Sequence, residues 1–186
     1  MTIILTIILI IAIAAIVIWM IIIYNLFIRD RNLIKEAWSG IDVQLKRRHN
    51  LIPNLVASVQ GYSKHEKTLL EDITQKRSEA VKFENIKDKA PAESDLSGML
   101  KNLFVAVENY PDLKASENFL NLQNQLVEIE DQLQYARRYY NGAVRNYNIR
   151  VESFPSNVLA GIFNFKQENF FEITLATEKA TPEVKL

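Results

Sequence analysis

The sequence predicts an all-α protein in which one N-terminal transmembrane helix is followed by a bundle of four helices. Three observations support this fold class. Residues 3–23 are apolar except for Thr6, residues 34–154 repeat apolar side chains at steps of three and four, and no stretch alternates like a half-buried strand. Because a helix with one apolar stripe cannot bury that stripe alone, we expect the four helices to pack together.

The apolar run at residues 3–23 has the length of one membrane crossing. A helix needs about 20 residues at ~1.5 Å each to span a hydrocarbon core of ~30 Å. This run has 21 residues, of which 15 are Ile, Leu or Val. Trp19 and Tyr24 lie toward its end, where amphipathic rings favour the headgroup level. We therefore expect residues 1–25 to form an anchor that contacts the lipid bilayer through residues 3–23.

A cleaved secretory signal is the alternative interpretation of this run. Such a signal carries a basic segment before an apolar core of about 7–15 residues. Here no Lys or Arg precedes the run, and the run is longer than such a core. An A-x-A pattern at residues 12–14 leaves cleavage open. The length and flanks of the run favour the uncut anchor.

The charged residues all follow the apolar run and balance one another. Lys and Arg number 22, and Asp and Glu also number 22. The chain therefore lacks the basic excess that is typical of nucleic-acid binders. Arg29, Arg31 and Lys35 come directly after the run, so the positive-inside rule places the rest of the chain in the cytoplasm. The absence of Cys does not select a side.

Prolines and capping residues predict where the helices end. Pro53 interrupts the first stripe, so we expect helices near residues 26–49 and 51–85, or alternatively a single helix kinked at Pro53. Residues 86–95 are polar and contain Pro91, which predicts a loop.

Two more helices and an aromatic segment complete the predicted domain, residues 26–172. Ser94 or Asp95 is the candidate cap of a short helix that ends at Pro111. Ser116 precedes the longest stripe, which we expect to end near Ser153 because a proline follows at position 155. Within the aromatic segment after residue 156, a short helix with one apolar face is expected. Residues 173–186 are predicted to be a flexible tail.

Few residues of this sequence converge on catalysis. Without Cys, thiolate nucleophiles and Cys-ligated metals are excluded. His49 and His65 lack the spacing and acidic neighbours of zinc or di-iron sites, and no glycine-rich phosphate loop occurs. We therefore expect no enzyme, cofactor, metal or small-molecule substrate. A hydrolase built from Ser, Lys or carboxylates stays open.

A basic block in the first helix of the domain is one candidate interaction surface. Its members are Lys46, Arg47, Arg48 and His49. The block either meets anionic lipid or an acidic partner, or it is a solvated helix end whose cations favour the helix dipole. Arg48 falls on the apolar stripe, so it is alternatively buried against a carboxylate such as Asp42 or Glu36.

The longest helix and the aromatic segment supply the other candidates. On the helix, Arg137, Arg138 and Arg145 alternate with tyrosines. Such a surface can stack on the bases of single-stranded nucleic acid. The neutral net charge of the chain instead favours packing of these tyrosines in the helical core. The aromatic segment either covers an open end of the bundle or inserts into a membrane or partner. Its candidate contact residues are Phe163, Phe165, Phe170 and Phe171.

Long blocks of this sequence resemble the LemA family. They are residues 36–56, 61–66, 137–141, 144–148 and 154–163. The resemblance covers the anchor and nearly all of the domain. It implies a bacterial, single-pass inner-membrane protein with an antiparallel, up-and-down bundle of mirror type, and it implies no reaction, cofactor or ligand. Because relatives are implicated in building magnetosome membranes, the resemblance suggests a role in membrane organisation by analogy.

These observations together predict a membrane-anchored, non-enzymatic helical scaffold. We expect it to bind a protein partner or itself, and no nucleic acid. The alternative is a lipid-surface-binding or membrane-remodelling protein that uses the aromatic segment, and an undetected hydrolase is a third hypothesis.

Overall fold

The regular structure of the chain is helical. The computed structural model describes residues 1–61 and 67–171, and no strand occurs within these ranges. The helices of this part are α1 (Thr2–Gln60), α2 (Lys67–Lys82), α3 (Ile86–Val107), α4 (Pro111–Lys114), α5 (Glu117–Glu152) and α6 (Ser156–Ile162). The predicted all-α class is therefore confirmed. The predicted tail at residues 173–186 and His65 lie outside the described residues.

Helix α1 is longer than predicted, because Pro53 does not end it. The helix has 59 residues with Pro53 inside it. Proline leaves the carbonyl four residues earlier, that of His49, without its backbone donor. The Arg77 side chain on α2 replaces that donor, with its Nε 2.6 Å from the His49 oxygen. The predicted break between residues 49 and 51 is wrong, and the alternative of one helix through Pro53 is the observed one.

The N-terminal part of α1 contains a candidate membrane span. Its most apolar 18-residue window has a mean hydropathy of 3.3 and is 0% buried. Side chains such as Ile10 and Ile16 are more than half exposed, a burial pattern that is costly in water but favourable in lipid. By length and composition this stretch is compatible with a membrane anchor.

The predicted loop at residues 86–95 is wrong, because these residues begin helix α3. The side chain of Asn85 accepts a hydrogen bond from the backbone N–H of Lys87 at 3.1 Å and so caps the helix. Ser94 and Asp95, the predicted caps, lie inside the helix instead.

The helix ends that we predicted from Pro111 and Ser153 are close to the observed ones. Helix α3 ends at Val107, and Pro111 opens α4, where its missing N–H costs little. Helix α5 ends at Glu152, one residue before Ser153. The short helix expected in the aromatic segment is α6.

The chain forms two compact units. Unit 1 comprises Met1–Ser39 and Arg138–Phe170. Its buried side chains come from α1, α5, α6 and the segment after α6: Phe27, Ile34, Ala37, Tyr140, Val144, Tyr147, Leu159 and Phe165.

Unit 2 comprises Gly40–Arg137 together with Phe171. Its apolar core draws on all four long helices and on α4. The core members include Ile52, Leu55 and Val59 of α1, Leu70 and Ile73 of α2, Leu96, Leu100 and Leu103 of α3, Leu113 of α4, and Phe119 and Leu126 of α5. Most of these positions belong to the apolar stripes of the sequence, so the stripes mark the buried faces.

Candidate functional site

A cluster of charged side chains lies buried in unit 2, and Arg48 is at its centre. Arg48 and Glu93 are both 0% exposed. The Nη2 of Arg48 donates to the Glu93 carboxylate and, at 3.2 Å, to the Glu93 carbonyl. Its Nη1 donates to Ser97 Oγ at 2.6 Å and to Glu130 Oε2 at 3.0 Å. We call Arg48, His49, Glu93, Glu130 and Arg137 the buried ionic cluster.

The partners of Arg48 differ from those that we expected. The burial of Arg48 against a carboxylate is confirmed, but the carboxylates are Glu93 and Glu130 and not Asp42 or Glu36. Asp42 instead lies 2.7 Å from Lys46 and 3.4 Å from Lys89. The hydrogen bond from Lys46, which outweighs the effect of partial burial, lowers the pKa of the Asp42 carboxyl.

Glu93 is charged despite its complete burial. Burial alone would raise the pKa of the Glu93 carboxyl. The hydrogen bonds and charges of His49 and Arg48 together outweigh burial and lower that pKa below its usual range. The Nε2 of His49 lies 3.0 Å from one carboxylate oxygen and 3.3 Å from the other. Glu93 therefore neutralises Arg48 within the helical core.

Arg137 is buried with much less compensation. It is 4% exposed, and its Nη1 lies 3.8 Å from Glu130. One face of the guanidinium stacks over Phe171, 5.0 Å from the ring centroid. Its Nε and Nη2 are buried and have no hydrogen-bond partner among the residues that the structure describes. Burial, opposed by Glu130, lowers the pKa of Arg137.

A cavity of about 600 Å³ opens beside this cluster, in unit 2. Its lining combines Arg48, Glu130 and Arg137 with apolar side chains that include Leu100 and Phe104. A volume of this size is in the range of small-molecule sites. Within residues 1–61 and 67–171, no group of three or more acidic or histidine side chains is arranged to hold a metal ion.

Unit 1 contains a second candidate region, an aromatic cluster of Tyr24, Phe27, Phe163 and Phe165. The rings of Phe27 and Phe165 are stacked with centroids 4.6 Å apart, and Tyr24 meets Phe163 edge-on at 4.9 Å. Arg31 lies over the Phe165 ring at 5.9 Å. The cluster therefore holds the segment after α6 against the part of α1 that follows the apolar run.

Hydrogen bonds continue this attachment along α5. The Tyr140 hydroxyl donates to the Asn169 carbonyl at 3.0 Å. The Asn148 side chain both donates to the Glu168 carbonyl and accepts from the Glu168 backbone N–H, each at 2.9 Å. Burial, with a smaller contribution from Glu168, raises the pKa of Tyr140 to about 12. These bonds fix the segment near residues 168–169 in unit 1.

The structure divides the predicted contact residues into two sets. The exposed set is Lys46, Arg47, Arg138, Arg145, Phe163 and Phe170. The buried set is Arg48, His49, Arg137, Phe165 and Phe171. Burial leaves the side chains of the buried set little surface for a protein partner to contact. Whether the exposed set binds a partner stays a prediction.

Glu93, Glu130 and Arg77 were not among the residues predicted from the sequence. Glu93 lay in the predicted loop, and Glu130 adjoins the α5 stripe without belonging to it. The available signal was Arg48 itself, because a cation on an apolar stripe requires a buried carboxylate from elsewhere in the chain.

Comparison with known proteins identifies the family. The LemA family model matches residues 37–186. Protein LemA of Metamycoplasma hominis is 31% identical over 138 residues, which cover 73% of this chain and 63% of that protein. Magnetosome protein MamQ 2 of Paramagnetospirillum magneticum is 26% identical over 175 residues, which cover 80% of this chain and 64% of that protein.

A third relative, magnetosome protein MamQ of Magnetospirillum gryphiswaldense, is 24% identical over 189 residues, covering 87% of this chain and 70% of that protein. The chain spans less than two thirds of the length of the LemA and MamQ 2 relatives. The family match nevertheless includes every residue of the buried ionic cluster. With the family model matching most of its residues, this chain belongs to the LemA family.

Proposed function

We propose that the protein is a membrane-anchored, non-enzymatic helical scaffold that binds a protein partner or a second copy of itself. The observation that carries this proposal is the continuity of α1. This helix begins with the apolar span and ends with Ile52, Leu55 and Val59 in the core of unit 2. A partner bound to the helical domain is thereby tied to the bilayer.

The same proposal includes an arrangement and an orientation. In this proposal the helices α1, α2, α3 and α5 form an antiparallel, up-and-down four-helix bundle of mirror type, and the core to which each contributes residues supports it. The helical domain lies on the cytoplasmic side of a bacterial inner membrane. The basic residues Arg29, Arg31 and Lys35 after the span support that side.

The exposed face of α5 supports partner binding. Arg138, Tyr139, Arg145 and Ile149 are exposed on this helix, and Tyr139 is 54% and Ile149 53% exposed. Arg138 and Arg145 are two helical turns apart and so lie on one side of it. Tyrosine and arginine are the residue types that most often anchor protein interfaces. We call these four residues the α5 face.

Site-specific photo-crosslinking in native membranes tests this function. We expect Tyr139→p-benzoylphenylalanine to form an adduct, with a mass increment equal to one partner or to one further chain of 21.5 kDa. Reversing both charges in Arg138→Glu/Arg145→Glu should abolish the adduct. A probe at Ser78, an exposed residue of α2, is the control.

If the same adduct persists in the charge-reversed chain, the α5 face does not bind the partner as proposed. If no adduct forms at Tyr139, scaffold binding through this face is wrong.

Lipid-surface binding is the second candidate function, and the exposure of α6 favours it. Val158 is 54%, Ile162 67% and Phe163 50% exposed, although all are apolar. The edge-on contact of Phe163 with Tyr24 places this apolar face where the candidate span ends. Apolar side chains at such a position insert between headgroups.

Quenching by brominated lipids tests this second function. The chain has no Cys of its own, so Ile162→Cys and Val81→Cys each carry one fluorescent label. Val81 of α2 is 53% exposed and serves as the matched control. We expect the label at Ile162 to be quenched in nanodiscs and the label at Val81 to be unaffected. Equal quenching at both positions would contradict lipid binding by α6.

A further inference from the structure

The cavity in unit 2 has the features of a ligand site, although the scaffold function makes no use of it. Arg137 is 4% exposed, lines the cavity and has two unpaired donors. A buried cation with unpaired donors is costly, and a bound ligand that accepts from those donors would offset the cost.

The unpaired donors of Arg137 define the head of the ligand. Nε and Nη2 form one edge of the guanidinium fork, with two nearly parallel N–H bonds. That edge matches two oxygens of a carboxylate or a phosphate. Glu130 is 3.8 Å away from Nη1 and shares its oxygens with Arg48 and Ser97. Glu130 therefore leaves Nε and Nη2 unpaired, and a bidentate anion is the group that matches both donors at once.

The other lining residues define the rest of the ligand. Leu100, Phe104, Leu126 and Val127 supply apolar wall, while the charges of Lys101 and Asp131 on the same lining oppose each other. Val127 and Lys101 are exposed, so the cavity is reachable from solvent. Bound inorganic phosphate would leave these apolar side chains in contact with water, whereas the apolar tail of a ligand would bury them.

We infer that this cavity binds a small amphiphilic anion, with a carboxylate or phosphate head on Arg137 and an apolar tail along Leu100, Phe104 and Leu126. The head has two possible sources, a membrane lipid or a water-soluble metabolite. Both present the same chemistry to Arg137.

Isothermal titration of the full chain in phosphatidylcholine nanodiscs, with empty nanodiscs as the blank, tests the inference. We expect octanoate and octyl phosphate to bind saturably, with one site per chain. Octanol lacks the head, and inorganic phosphate lacks the tail; each should bind at least tenfold more weakly.

Two variants separate the head from the tail. Arg137→Gln removes the charge and should weaken octanoate binding at least tenfold, whereas Lys87→Gln, at an exposed cation of α3 outside the cavity, should stay within twofold. Gly98→Leu fills the cavity from α3, where no neighbouring atom lies within 4 Å of the position of an added Cβ. It should also abolish binding. Gly40→Leu, equally unobstructed on α1, is its control.

Adding phosphatidate to the nanodiscs distinguishes the two sources. A lower apparent affinity for octanoate assigns the site to a lipid headgroup, and an unchanged affinity assigns it to a water-soluble anion; either result keeps the site. The inference is overturned if octanoate does not bind saturably, if octanol binds as tightly, or if folded Arg137→Gln and Gly98→Leu chains bind like the wild type. Circular dichroism establishes that each variant is folded.

Discussion

At the scale of single residues, the most consequential position is Arg48. A cation on an apolar stripe requires a buried carboxylate, and Glu93 meets that requirement from another helix. His49, the next residue on α1, holds the same carboxylate. The pair joins the facing sides of α1 and α3, so loss of either partner would leave the other charge buried with less compensation.

Removing the Glu93 charge should destabilise unit 2. We expect Glu93→Gln to lower the free energy of unfolding by about 3 kcal/mol, because it leaves Arg48 buried with only the partly exposed Glu130 as counterion. Thermal unfolding followed by circular dichroism measures this loss. Glu79→Gln, which removes an exposed partner of Lys76, is the control and should change little. Equal effects of the two substitutions would contradict the role of Glu93.

Glu93 should also make stability depend on acid pH. Its pKa is lower in the folded chain than the value of about 4.3 in an unfolded one. Its contribution is therefore complete above that unfolded value and is lost as pH falls through the folded pKa. The unfolding temperature of the wild type should fall more steeply below about pH 4.3 than that of Glu93→Gln. Parallel curves for the two proteins would show that other carboxylates control acid unfolding.

At the scale of helices, the sequence predicted apolar faces better than helix ends. The apolar stripes on α1, α3 and α5 are buried as expected. Apolar residues spaced three and four apart lie on one side of a helix, so the spacing determines which side faces the core. The wrong end at Pro53 depends on a tertiary contact, because Arg77 supplies the donor that the carbonyl of His49 would otherwise lack. Local composition does not contain that fact. The start of α3 has a local signal in its cap, Asn85, which the polar composition of residues 86–95 outweighed in the prediction.

The contact between Arg77 and the His49 carbonyl should be coupled to Pro53. We expect Arg77→Met to lower the free energy of unfolding by about 1.5–3 kcal/mol in the wild type, as loss of a hydrogen bond from a charged donor does. In a Pro53→Ala background the restored backbone N–H satisfies the same carbonyl, so the cost should fall by about 1 kcal/mol. A double-mutant cycle of unfolding free energies measures this coupling, with Lys76→Met as the uncoupled control. Strict additivity of Arg77→Met and Pro53→Ala would contradict it.

At the scale of the whole molecule, the periodicity of apolar residues was sufficient for the all-α class, and the resemblance of long sequence blocks indicated the family. The apolar run, the stripes and the LemA-like blocks are local in the sequence, so each could be identified from the sequence alone. The buried ionic cluster could not be predicted in this way, because Arg48, Glu93 and Arg137 are far apart in the chain and meet only after packing. For the same reason the cavity beside Arg137 had no sequence signal, whereas the exposed charges on α1 and α5 did.

Membrane attachment through α1 is the central claim, and the accessibility of single cysteines tests it most directly. The chain has no Cys. Ile11→Cys within the apolar run and Ser78→Cys on α2 therefore each introduce a single thiol, whose labelling by a membrane-impermeant maleimide is measured. We predict that Ile11→Cys stays unlabelled in native membranes and reacts only after detergent denaturation. Ser78→Cys should react on lysis but not in intact cells. Labelling of Ile11→Cys in native membranes would contradict a transmembrane anchor.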